Sequence, residues 1–318
     1  MNDNNKPLVG ISACLLGEAV RYDGGSKLDR YLRDVLGNCV EYIPVCPEAE
    51  SGMGVPRPAM HLVAQGDDVR LVTIRAETDL TGKMQAWTVN RIKDLTKIPL
   101  CGYILKARSP SCGLQRVRLY RPGGGVSSNG TGLFARELTD KFPLLPVEEE
   151  GRLNDAGLRE NFIERLFVMQ RWHELNRGRK SVKKLMDFHA RHKYLLMAHC
   201  PKTLTVLGAY IANSGQSSIN HVYTQYVENF MTALGKAATV RKNTNVLQHI
   251  MGYFKKDLSG DEKAELTTII KSYYEGHVPL VVPITLLNHY VRKYNSTYLE
   301  QQHYLNPHPL ELKLRNHV

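Results

Sequence analysis

Apolar and polar positions follow two rhythms along this chain, and the change falls near its middle. Before residue 150, short apolar runs stand between amphipathic stretches. LVGISAC (8–14), VEYIPVCPE (40–48), VRLVTI (69–74) and CGYILKA (101–107) read as strands, with RVRLY (116–120) as an edge strand. KLDRYLRDVLGN (27–38), DLTGKMQAWTVNRIKDLTK (79–97), opened by an Asp cap, and GLFARELTDKF (132–142) read as helices. The Gly-rich RPGGGVSSNGTG before the last of these reads as a mobile loop. Strands that alternate with helices predict a parallel α/β sheet with helices on both faces.

Past the acidic VEEEG (147–151) the rhythm is helical almost throughout. Helices are predicted over 158–176, 182–199, 202–213, 219–235, 245–256, 260–276 (with an Asp cap) and 284–295. The expected fold is therefore an α/β parallel-sheet N-terminal domain over 1–150 and an all-α C-terminal domain over 151–318, with VEEEG as the seam. A chain of 318 residues is long enough for two such cores. With 42% hydrophobic and 23% charged residues it is expected to be globular and soluble, and no segment approaches the roughly 18 apolar residues of a membrane span. The polar lead before LVGISAC has neither the basic start nor the long apolar core of a signal peptide, so a cytoplasmic location is expected.

Charge divides the chain unevenly. Up to Glu150, 19 Lys and Arg face 18 Asp and Glu, a net of +1; beyond it, 23 face 13, a net of +10. The second half also holds 11 of the 12 histidines and 11 of the 16 tyrosines. Cations beside flat rings suit phosphates and stacked bases, so RNA binding is expected there. The basic helices 178–194 and 239–256 carry the candidate contacts, Arg179, Lys180, Lys183, Lys184, Arg191, Lys193, Arg241, Lys242, Lys255 and Lys256. An ordinary solvated face is the alternative for either helix.

Thiols divide the other way, with five of six cysteines before residue 150. In a cytoplasmic chain they are read as free or metal-bound thiols rather than disulfides. Cys39, Cys101 and Cys200 are assigned to packing. Cys14, Cys46 and Cys112 each stand at or just past the carboxyl end of a predicted strand, the edge of a parallel sheet where ligands bind. Their company sets them apart from buried structural thiols: Cys46 lies between prolines and is followed by Glu48, and Cys112 lies in the turn KARSPSCG. Three thiolates with no local histidine suit either zinc with one open position or an iron–sulfur cluster, and thiolate chemistry alone does not choose. Glu48 reads as a surface carboxylate or as a general acid or base near the metal. Ser109 and Ser111 bond their own turn or orient a substrate. Arg57 belongs to a plain loop or a substrate clamp.

SACLLGEAVRYDGG, VCPEAESGMGVPRP and LKARSPSCG, in that order, resemble the motifs of the thiouracil desulfidase family over roughly residues 6–147. The helical remainder resembles the accessory domain fused to that module in the tRNA 4-thiouridine desulfidases. The resemblance implies a [4Fe-4S] cluster with three cysteine ligands, Cys14, Cys46 and Cys112, and one iron open to the thiocarbonyl sulfur of the substrate. It implies catalytic roles for Glu48, as proton relay to the attacking water, and for Ser109, which positions that water or the pyrimidine edge. Ser12, Arg57, Lys106 and Ser111 are candidate substrate contacts. The expected reaction takes sulfur from 4-thiouridine in tRNA and leaves uridine and sulfide, with no net redox change. The alternatives are a desulfidase of free thiolated pyrimidines such as 2-thiouracil or 4-thiouracil, with the helical domain as lid or dimer interface, and a non-catalytic metal-containing RNA-binding regulator. A cysteine hydrolase would have His61 as its one first-half histidine.

Overall fold

The computed structural model describes residues 6–317 except Asp67 and Pro122. The polar lead 1–5 and Pro122 of the predicted loop thus lie outside the described residues. The chain divides into two compact units, one ending at Asp155 and the other starting at Ala156.

In the first unit the buried apolar runs form one sheet, with β1 (Leu8–Ser12), β2 (Glu41–Val45), β5 (Leu100–Leu105) and β8 (Val147–Glu149) in the order β2-β1-β5-β8, all parallel. β5 is buried at every position, as a strand covered on both faces must be. A Cβ on Gly10 of β1 would stand 2.2 Å from ring carbons of Tyr103 on β5, so glycine is what lets that ring lie flat against the neighbouring strand. Helices α1 (Thr81–Leu95) and α2 (Leu133–Lys141) cover β5 with Ile92, Leu95, Phe134 and Leu138.

A second sheet departs from the expected single one. β3 (Met60–Gln65) and β4 (Asp68–Thr73) form an antiparallel hairpin, as do β6 (Val117–Tyr120) and β7 (Val126–Gly130), and a parallel β3–β6 pairing joins them in the order β4-β3-β6-β7. RVRLY is therefore an inner strand rather than an edge, and part of the predicted Gly-rich loop is a strand. Met84 of α1 and Leu133 of α2 pack on Leu62 and Leu71, so the same two helices serve both cores. The predicted helix 27–38 is wound as a π-helix over Tyr31–Val35 and a 3-10 turn over Leu36–Asn38. VEEEG is no mere seam, because it supplies β8.

The second unit is helical, from α3 (Ala156–Asn176) through α4 (Val182–Arg191), α5 (Lys193–His199), α6 (Pro201–Ala212), α7 (Ile219–Leu234), α8 (Val240–Tyr253), α9 (Gly260–Tyr274) and α10 (Val281–Lys293) to α11 (Thr297–Glu300). The predicted helix 182–199 breaks at His192. α9 is opened by Ser259 with Glu262 in a reciprocal capping box, not by an Asp cap. Stacked rings of Trp172, Tyr226 and Phe230 fill the core. Buried Glu164 accepts from Arg315 Nη2 (2.6 Å) and faces His199 Nε2 (3.1 Å). Burial by itself would raise that carboxyl, but Arg315 and His199 outweigh it and hold it at about 2. Among the described residues no helix is long and apolar enough to cross a membrane.

Candidate active site

Because the first sheet is parallel, β1, β2 and β5 end on one edge, with Ser12 opposite Val45 and Ile11 opposite Ile104. Each strand then delivers a cysteine. Past Ser12 a 3-10 turn (Ala13–Leu16) carries Cys14 and is stopped by Gly17 at φ 99°. Cys46 follows Val45 directly, its N–H donating to Glu50 Oε1 (2.8 Å). Past Leu105 the loop to β6 carries Ser109, Ser111 and Cys112. A cavity of about 460 Å³ opens at this edge, walled by Cys14, Cys46 and Cys112 with Ser12, Glu48, Arg57, Lys106, Ser109 and Ser111.

The end of β8 fixes the Cys112 loop at both ends. Glu150 accepts from Ala107 N–H (2.7 Å) and ion-pairs with Lys106, while buried Glu149 accepts from Leu114 N–H (2.8 Å). Ser12 Oγ accepts Lys106 N–H (2.9 Å), which ties the loop to β1. Gly132 presses on its middle, where a Cβ would lie 2.4 Å from Ser111 O. Gly132→Ala must therefore push the Ser111–Cys112 backbone aside. A loss of about 1–3 kcal/mol is expected for such overpacking, read as a lowered midpoint in urea unfolding.

Burial raises all three thiols. Cys14 is pushed up to about 11 by burial and then by neighbouring Cys46; Cys46 and Cys112 are also raised chiefly by burial, in Cys112 against hydroxyl hydrogen bonds from Ser12 and Ser111. A protonated thiol is a poor nucleophile. Among the described residues no histidine lines the cavity to take its proton. His61 lies instead on β3, 4.5 Å between ring centroids from Tyr120. Nothing here supports a cysteine hydrolase.

Glu48 opens the short helical turn past Cys46, and its two carboxylate oxygens face different partners. Oε2 accepts from Arg57 Nε (3.0 Å) and Nη2 (2.5 Å). Oε1 accepts from Ser111 Oγ (2.7 Å) and has Ser109 Oγ at 3.4 Å. Arg57 also donates to Gly54 O and Val20 O, and its side chain is only 3% exposed against 13% for Glu48. Its donors thus hold Glu48 and the loop behind it at the cavity wall. Ser109 accepts Cys112 N–H (3.1 Å) and shares a hydrogen bond with Ser111 Oγ (2.9 Å), so Ser111 is the nearer hydroxyl to the carboxylate.

A family model described as 2-thiouracil desulfurase matches residues 9–150, and one described as a protein of unknown function, DUF1722, matches residues 193–309. In its first unit the chain belongs to the 2-thiouracil desulfurase family. A relative from Escherichia coli (strain K12), the uncharacterized protein YbgA, is 31% identical over 158 residues, 49% of this chain and 94% of its own. A solved structure of a [4Fe-4S]-dependent thiouracil desulfidase, TudS, is 31% identical; the match spans 49% of this chain and 98% of that one, with a TM-score of 0.39.

Within this desulfurase unit the structure brings Ser12, Cys14, Cys46, Glu48, Arg57, Lys106, Ser109, Ser111 and Cys112 to one cavity. Sequence reasoning missed Tyr22 and Lys27 on the same wall, though the group RYDGG after Cys14 announced a polar loop there. Lys106 is held by Glu150, so it reaches a substrate only from that pair. In the second unit, Arg179 and Lys180 precede α4, Lys183, Lys184 and Arg191 lie on it, Lys193 opens α5, Arg241 and Lys242 open α8, and Lys255 and Lys256 follow it. Lys242 Nζ donates to His199 O and Ala237 O, Lys180 Nζ to Asn220 and Lys184 Nζ to Arg179 O, so these three ammonium groups are engaged within the fold.

Proposed function

We propose that the first unit removes sulfur from a thiolated pyrimidine, that the substrate is 4-thiouridine in tRNA, and that the protein acts in the cytoplasm. The observation that carries this reading is the meeting of three thiols from three strand ends with the Glu48–Ser111 pair at a single cavity.

The donors suit a [4Fe-4S] cluster held by Cys14, Cys46 and Cys112. They are soft sulfurs from three strand ends on one cavity wall, the donor type that iron–sulfur clusters take. Lys106 and Arg21 beside Cys14 and Arg57 beside Cys46 favour thiolate charge. When bound, a cluster with one iron lacking a protein ligand supplies a sulfur-seeking Lewis acid.

The chain's own residues then have defined work. Arg57 fixes Oε2 of Glu48, which leaves Oε1 as the oxygen that takes a proton from the attacking water and returns it to the leaving sulfur. Ser111 orients Oε1, and Ser109 holds the turn that carries Ser111 and Cys112. Tyr22 offers the pyrimidine a flat wall. Water adds at the thiocarbonyl carbon and hydrogen sulfide departs, so a C=S becomes a C=O without oxidation or reduction. A base within tRNA must leave its stack to reach this cavity. The net +10 of residues 151–318 supports RNA as its carrier.

Anaerobic incubation of the iron-reconstituted chain with bulk tRNA, followed by nucleoside quantification, tests both halves. Loss of 4-thiouridine matched by gain of uridine is expected. Intact tRNA with desulfuration of free 2- or 4-thiouracil would keep the chemistry and discard the RNA substrate.

A further inference from the structure

Two tyrosine rings stand stacked at the surface of the second unit. Tyr253 closes α8 and Tyr298 lies on α11, with ring centroids 5.4 Å apart and planes 16° from parallel. The two residues are 46% and 38% exposed. Tyr194 of α5 meets Tyr253 edge-on, 6.3 Å between centroids, and is itself buried, so it fastens the pair to the core. The stack of Trp172, Tyr226 and Phe230 is different in kind, because all three of its members lie inside the fold. The Tyr253–Tyr298 pair leaves much of its apolar area in water and contributes correspondingly little to the core. What it offers instead is flat surface already held in position.

The backbone gathers charge around these rings. Just past α11, His303 N–H donates to Arg191 O and Gln302 Nε2 to Ala190 O, both at 3.0 Å, which ties the stretch carrying Tyr298 to the corner between α4 and α5. Arg191 and Lys193 flank that corner, and the Lys193 ammonium lies 5.4 Å from the centroid of the Tyr194 ring. Past Tyr253 a tight turn, in which Asp257 N–H donates to Phe254 O (3.0 Å), carries Lys255 and Lys256. Among the described residues none of these four cations forms an ion pair. Two exposed carboxylates, Asp257 and Glu300, share the neighbourhood, so the local balance is positive as it is over the whole unit. Exposed rings alone would suit a protein as well as a nucleobase, and the charge decides between them. Unpaired bases stack on aromatic faces while their phosphates meet Lys and Arg.

We infer that the Tyr253–Tyr298 pair is a stacking platform for an unpaired base of RNA, with Arg191, Lys193, Lys255 and Lys256 as the cations that meet the adjoining backbone. The inference rests on RNA as the carrier of the substrate and names where on the second unit that RNA is held.

The test is anisotropy titration of the full chain into labelled oligoadenylate and into an abasic strand of the same length, at constant ionic strength, with bulk tRNA as competitor. The parent should bind oligoadenylate and release it to tRNA. Y253L/Y298L should bind oligoadenylate about 10-fold or more weakly, with its hold on the abasic strand unchanged, because stacking is lost and the charges remain. Y253F/Y298F should keep both affinities, since a ring without its hydroxyl still stacks. Equal urea midpoints of the three proteins show that the fold is intact. Oligoadenylate binding undiminished in Y253L/Y298L, or weakened equally on the abasic strand, would overturn the platform and leave RNA as the carrier. A parent that binds neither oligoadenylate nor tRNA would overturn both. Sedimentation of the same proteins reports the competing use of exposed rings: a parent dimer that dissociates in Y253L/Y298L, with RNA affinity undiminished, would make the pair a contact between copies of the chain.

Discussion

Glu48→Gln is expected to leave iron and labile sulfide in place and to cut turnover by about 10²–10⁴-fold, the usual worth of a positioned acid–base group. The geometry says why this substitution is the informative one. Oε2 is occupied by two donors of Arg57, and Oε1 looks toward Ser111 and Ser109. A glutamine can keep its carbonyl oxygen on Arg57 and turn its NH₂ to the serine hydroxyls, which rotate to accept. Shape and most contacts survive, and what disappears is the ability to take and return a proton. Some stability goes too, since Arg57 loses its counter-charge where little water reaches; breaking such a pair costs up to about 3–5 kcal/mol. Iron content and the urea midpoint must therefore be measured beside the rate. An iron-loaded, folded Glu48→Gln enzyme with a rate within a few-fold of the parent would remove Glu48 from the chemistry.

The residues that were legible in sequence and those that were not differ in what fixes them. LVGISAC, VEYIPVCPE and CGYILKA read as strands because a strand covered on both faces is a continuous apolar run, and the parallel order then implied a common edge for Cys14, Cys46 and Cys112. MHLVAQ (β3) carried no such run, for most of its positions are only half-buried, and VSSNG (β7) is polar. The period of KLDRYLRDVLGN announced a helix without revealing a π and 3-10 winding, since apolar spacing does not report which carbonyl each N–H meets. Nor does any Gly or Pro mark the break at His192, whose ring accepts from Arg171 of another helix.

At the site itself, residue types were readable and partnerships were not. Glu48 and Arg57 are both present in VCPEAESGMGVPRP, yet nine positions apart nothing in the string says that one neutralises the other. Glu149 and Glu150 read only as part of an acidic seam. Their role as acceptors for the backbone of the Cys112 loop depends on β8 lying beside β5, a long-range pairing that local pattern does not encode.

The six cysteines are expected to separate cleanly into two groups of three. Cys14→Ser, Cys46→Ser and Cys112→Ser should each abolish iron–sulfur absorbance after anaerobic reconstitution, and activity with it, because each removes one of the three thiols that line the cavity among the described residues. Cys39→Ala, Cys101→Ala and Cys200→Ala should keep both. Cys101 stands at the start of β5, at the far edge of the sheet from the cavity, with its thiol on Pro99 O (3.5 Å). Cys200 belongs to the second unit, where its thiol is lowered by Thr203 and then, more weakly, by Lys236. Cys39 is buried behind the 3-10 turn Leu36–Asn38, so its loss is felt as a packing defect of about 1–3 kcal/mol rather than a missing ligand. Metal analysis of the same six proteins separates the two metal chemistries that thiolates permit. Stoichiometric zinc without sulfide in the parent, lost with any one of the first three, would replace the cluster by a single ion. Iron with equivalent labile sulfide, retained in the second three alone, fixes both the identity of the centre and its ligands.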